Sequence, residues 1–166
     1  MFLTIMLAVM MMAGLFLMLL SGIGFIQDPK LFGSAPKEVR EVVKPREERF
    51  RGAHLIGFIM AGFSIVMMIG AIVIGGWNGI CNYFEFWEFF LRFYLMIFLL
   101  KVYDILFFDW VLLCNAGFNF FPHFYPETKP VLGHYLFGYN WKTHLIHILG
   151  GAGVSAILAW ICVLLK

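Results

Sequence analysis

Charge is what this chain has least of. Only 13% of its 166 residues are Asp, Glu, Lys or Arg, against about a quarter in soluble globular domains. By contrast 62% are hydrophobic and 19% aromatic. That shortage excludes an ordinary soluble fold. Its three cysteines make no disulfide framework. There is no Asn-x-Ser/Thr acceptor and no glycine-rich phosphate loop; the glycines sit inside apolar runs, where they serve close helix packing. Glu-x-x-His spacing, a common metal signature of helical bundles, is missing as well. The formal net charge of +2 gives no basis for a nucleic-acid partner.

What is present is four apolar stretches, at about residues 2–24, 54–76, 84–114 and 143–165. Each is long enough to cross a hydrocarbon core of about 30 Å, which takes around 20 helical residues. The expectation is a single domain over residues 1–166: an all-α integral membrane four-helix bundle. A polar loop spans 25–53 and an aromatic-rich interfacial loop 115–142. Residues 1–20 have no basic leader, and their apolar run exceeds the ~7–15 residues of a signal core, so they read as a retained first helix.

Lys and Arg set the orientation. Lys30, Lys37, Arg40, Lys44, Arg46, Arg49 and Arg51 crowd the first loop, and residues 75–83 hold none. The positive-inside rule then makes the first loop cytoplasmic and leaves both termini outside. Ser34, with Glu38 nearby, suggests a short surface helix over residues 36–51. A tight turn is expected at Gly75-Gly76-Trp77-Asn78-Gly79, and an ion pair between Glu88 and Arg92, four residues apart on one helix.

Small residues mark two packing seams. Gly57, Ala61 and Ser64 recur at spacings of three and four, with His54 at their head, and His144, His147, Gly151, Ser155 and Ala159 trace a second. Both histidines of that second seam are expected to face inward.

The stretch Lys101-Val-Tyr-Asp104-Ile-Leu-Phe-Phe-Asp109-Trp110-Val-Leu-Leu-Cys114 puts ionisable groups where lipid should be. Such groups must find partners and mark functional sites by default. Lys101 and Asp104, three apart, can satisfy one another. Asp109 has no partner in its own helix and needs one from another segment. At an α-helical rise of 1.5 Å per residue, Asp109 and Asp104 lie roughly 7 and 15 Å from Cys114 along the axis.

All five histidines, His54, His123, His134, His144 and His147, map to one membrane face. The catalytic candidates are therefore Asp104, Asp109, His144 and His147, and the ligand-binding candidates His54, Lys101, Trp110, His123, Glu127 and His134. Imidazole and carboxylate donors also suit a divalent metal, for which His144, His147 and Asp109 are the candidate ligands. The favoured chemistry is acid/base work on a bound lipid-like or isoprenoid molecule in a cytoplasm-facing polar pocket. A non-catalytic accessory subunit of a membrane complex or transporter is the alternative. Membrane lipids, a second copy of the chain or a membrane-complex partner are the expected partners.

The run from Asp104 to Cys114 resembles a signature of small four-helix bacterial membrane proteins of unassigned activity, whose third helix carries an Asp and, five residues later, Asp-Trp. The resemblance covers that helix and, loosely, the hydropathy of the whole chain. It implies a bacterial inner-membrane setting and adds no chemistry.

Overall fold

A computed structural model describes residues 1–32, 35–114, 119–133 and 140–166. It is helical throughout, with no strand among the described residues. The long elements are α1 (Phe2–Leu20), α3 (Ala53–Cys81), α4 (Phe86–Tyr103) and α6 (Trp141–Leu164). The short helices α2 (Lys37–Val42) and α5 (Phe120–Phe124) lie in the connections. Three segments are long and apolar enough to cross a membrane: Phe2–Ile26, Ala53–Cys81 and Trp141–Leu164. Glu88, Arg92 and Lys101 make α4 more charged than any of them.

Two helices change pitch at the same end of the molecule. α1 continues as a π-helical segment, Ser21–Ile26, and α4 as a longer one, Asp104–Cys114. Such wide turns occur mostly as single bulges and are frequent at functional sites, which makes 11 consecutive residues unusual. Because a π-helix advances less per residue than an α-helix, Asp104 and Asp109 lie nearer the end of the helix than an α-helical rise implies.

α1 packs on α3 and α4, α6 packs on α4, and α3 also touches α4 and α6. Small residues set how closely they approach. Ser64 donates its hydroxyl to the carbonyl of Gly14 (2.6 Å), and Ser21 to that of Gly57 (2.9 Å), so α1 and α3 are stapled at two levels. On α6, Gly151, Ser155, Ala159 and Cys162 are buried. A core of Leu7, Met11, Ala71, Phe89, Phe93, Met96 and Ala159 fills the end away from the π-helical segments.

The expected turn at residues 75–79 is helix instead, and α3 runs 29 residues, to Cys81. These glycines do not break it because their missing side chains make room for neighbours: a Cβ on Gly76 would lie 3.1 Å from the Cys162 sulfur. Glu88 and Arg92 do not form the expected ion pair. Glu88 Oε2 accepts the backbone N–H of Glu85 and caps α4. Arg92 is buried, donates to the Gly75 carbonyl (2.7 Å) and Asn78 Oδ1 (3.0 Å), and lies over the Phe84 ring.

At the opposite end the connections fold onto the helix termini. Val39, Val43, Phe121, Tyr125 and Leu132 pack with Ile23, Leu112 and Leu113 into a second core. Only Lys37–Val42 of the expected surface helix forms, and Val43 is already extended; Pro45 restricts the residue before it in the same sense. Ser34, the expected cap, lies outside the described residues.

Candidate functional site

The change of pitch after Tyr103 decides what Asp104 and Asp109 do. In an α-helix, residues five apart sit roughly 140° apart around the axis. In a π-helix, hydrogen bonds close five residues back and stack such a pair on one face. Asp104 and Asp109 are within electrostatic reach of each other, and Lys101 acts on Asp109 as well. Lys101 Nζ donates to Asp104 Oδ2, so the first carboxylate has a local partner.

Asp109 finds its partner on α6. Its Oδ2 lies 2.7 Å from His144 Nε2, an ion-pair distance without the alignment of a good hydrogen bond. His144 Nδ1 is buried with no hydrogen-bond partner among the described residues, so none of them fixes its tautomer through a second contact. The four side chains are largely covered but not sealed: 14% of Lys101, 27% of Asp104, 18% of Asp109 and 9% of His144 remain accessible. A basic group, two carboxylates and an imidazole with a free nitrogen can hold a proton and hand it across 2.7 Å.

The other expected members lie elsewhere. His147 is exposed, not inward-facing. It sits roughly 60° around α6 from His144, outside the narrow stripe of Gly151, Ser155 and Ala159 that meets α4. Trp110 is half exposed. His54 heads α3, its backbone N–H donating to Glu48 Oε1, while its Nε2 is buried with no partner among the described residues. His134 lies outside the described residues. Among the described residues no group of three His, Cys, Asp or Glu side chains is placed to hold a metal; Asp109 and His144 are a pair, and His147 does not join them.

His123 and Glu127 belong to a second polar group, on the folded-back connections. Arg46 Nη2 donates to Glu127 Oε2 at 2.7 Å and stacks its guanidinium 5.1 Å from the centre of the Tyr125 ring, clasping the two connections together. Burial pushes the Tyr125 phenol up to about 12, so it stays neutral. Burial alone would raise the Glu127 carboxyl too, but backbone hydrogen bonding and the Arg46 guanidinium outweigh it and hold it below the usual range. A depressed carboxyl stabilises the fold above its unfolded value, about 4.3, and that contribution is lost as pH falls through the lower folded value. The melting temperature of the wild type is therefore expected to fall more steeply below about pH 4 than that of Glu127→Gln, which lacks this titration. Parallel slopes in thermal melts across that range would show that the clasp does not carry the effect.

Beside the clasp is a cleft of about 320 Å³ lined by Gln27, Arg46, Glu47, Arg49, His123 and Phe124. Sequence reading reached only His123 of these. The usable signal was Gln27-Asp28-Pro29 directly after an apolar helix, but nothing local says that residue 27 meets residue 123.

Helices apolar enough to cross a membrane, with a buried acid–imidazole contact between two helices, define a helical membrane-type protein with an ionisable centre. Compared with protein-family models, with curated proteins and with solved structures, the chain matches none.

Proposed function

We propose that this is an integral membrane protein in which Lys101, Asp104, Asp109 and His144 form a site for an amphiphilic lipid or isoprenoid, with acid/base groups suited to transforming it. In this reading α4 and its π-helical continuation are the fourth crossing of a four-helix bundle. The loops between residues 27 and 52 and between 114 and 141 face the cytoplasm, and both termini lie outside. A bacterial inner membrane is the setting that the Asp104–Cys114 resemblance implies.

One observation carries the reading: the π-helical stretch brings two carboxylates to one face, beside a buried imidazole with an open nitrogen. Ionisable groups within a hydrophobic layer are costly to maintain. Partial exposure of both carboxylates leaves them open to a molecule arriving sideways, in the plane of the bilayer. Asp109 and His144 would then exchange the proton, while Lys101 keeps Asp104 engaged.

The accessory-subunit reading also has an observation behind it, because Lys101 offsets Asp104 and His144 offsets Asp109 within the chain. Native mass spectrometry of gently extracted wild type and Asp109→Asn separates the two. The expected result is a stoichiometric amphiphile on the wild type that falls at least about tenfold in the variant, the scale of one lost polar contact to a ligand. A protein carrying only copies of itself or another chain would move the assignment to the accessory subunit.

A further inference from the structure

The cleft at the folded-back connections is separate from the Asp109–His144 centre, and its own chemistry selects a ligand. α1 and its π-helical extension end at Gln27, whose backbone is left-handed (φ 54°) and whose N–H closes onto the Gly22 carbonyl at 2.8 Å. That turn plants the Gln27 side chain in the cleft wall, only 5% exposed. No side-chain hydrogen bond to its amide exists among the described residues. The residue is largely covered while its amide borders the cleft, so its donors and acceptor are placed to meet a polar group seated there.

Two charges face the same space without carboxylate or cationic partners among the described residues. Glu127 already holds Arg46, which leaves Arg49 and Glu47. The Arg49 guanidinium lies 5.6 Å from the centre of the Phe124 ring, its position set by stacking. Phe124 in turn packs on Gly24, where a Cβ would stand 3.3 Å from the ring. The cleft therefore offers one cation, one anion, a buried amide and the exposed His123 imidazole.

Its place points to the bilayer surface. Gln27 directly follows one membrane-length segment, Phe2–Ile26, and the Arg46 to Arg49 stretch precedes another, Ala53–Cys81. Leu31, Phe50 and Leu55, all roughly half exposed or more, border this level with apolar surface. At 320 Å³ the cleft is at the small end of ligand pockets.

We infer that this cleft binds a phosphoester headgroup that carries a primary ammonium, with Arg49 and the Gln27 amide on the phosphate and Glu47 on the ammonium. A guanidinium gives paired donors to phosphate oxygens, and the carboxylate discriminates against anionic headgroups that lack an amine.

The test is native mass spectrometry of the full chain released from bilayers of equal phosphatidylethanolamine and phosphatidylglycerol. The expected result is one retained phosphatidylethanolamine per chain in preference to phosphatidylglycerol. Arg49→Gln should reduce retention about tenfold, the worth of one charge-assisted contact. Glu47→Gln should abolish the preference between the lipids. Both residues are exposed, and unchanged circular dichroism will verify that the variants fold. Asp109→Asn should leave headgroup retention intact, so this inference and the acid/base reading fail separately. Displacement by soluble phosphoethanolamine would assign the same chemistry to a free ligand; its failure to displace would assign it to the lipid. Equal retention of phosphatidylglycerol by the wild type, or retention indifferent to both variants, overturns the proposal.

Discussion

Gly79→Ala is expected to destabilise the protein by about 2 kcal/mol, the usual scale for forcing extra volume into a packed core. A Cβ there would stand 2.2 Å from Phe89 Cε1, with two further ring atoms at 2.9 Å. Phe89 is completely buried and is flanked by Phe84 and Phe93, at ring-centre separations of 5.7 and 6.4 Å. Its ring therefore cannot swing away without disturbing the core that joins α3 to α4. The matched control is Gly62→Ala, where a Cβ meets nothing within 4 Å. That change should be neutral or stabilising by about 0.5–1 kcal/mol, from helix propensity alone. Unfolding midpoints in detergent give the comparison. Equal midpoints for the two variants would mean that α3 and α4 do not approach as closely as described.

The second large effect is at the Asp109–His144 contact. His144→Leu should cost about 3 kcal/mol, because removing one member of a buried polar pair leaves the other unsatisfied. Here the stranded group is a carboxylate that also feels Asp104. Asp109→Asn should cost less, since the amide keeps the shape of the side chain and a polar oxygen facing Nε2. The double variant should be less destabilised than the sum by at least about 1 kcal/mol, the coupling expected of groups in direct contact. Additive losses in a double-mutant cycle would remove the pair from the account of the site. The cycle also bears on function. In the acid/base reading, loss of the bound amphiphile accompanies both single changes, whereas in the accessory-subunit reading only stability or assembly moves.

How far the chain could be read depended on the range over which each feature is decided. The Lys101–Asp104 pair lies three residues apart on a helix, and its partners follow from spacing alone. The small-residue seams were legible for the same reason: Gly57 and Ser64 on α3, and Gly151, Ser155 and Ala159 on α6, are buried where periodicity puts them. Asp109 was legible as a residue in need of a partner. That the partner is His144 and not His147 was decided by the rotation of α6 against α4, since both histidines lie near the seam.

Other features were hidden because local rules were overruled by packing. Glu88 and Arg92 have ideal spacing for a surface pair, yet burial turns Arg92 to the Gly75 carbonyl and a helix terminus takes Glu88. The glycines at 75, 76 and 79 spell a turn in isolation; against Phe89 and Cys162 they are the positions where a helix can be approached most closely. No periodicity marks the pitch change at Asp104, because α and π turns differ by one residue in the hydrogen-bond closure.

By itself the sequence determined that this protein is helical and rich in long apolar segments, four by its hydropathy against the three that the structure gives as membrane-length, and it marked Lys101, Asp104 and Asp109 as costly residues. Composition and short-range spacing suffice for these. Only the tertiary structure decided that Asp104 and Asp109 lie on a π-helical stretch, that His144 meets Asp109, and that Gln27, Arg49 and His123 line one cleft. Those outcomes depend on helix pitch, helix rotation and contacts between residues up to about a hundred positions apart, none of which the local hydrogen-bonding and hydrophobic pattern encodes.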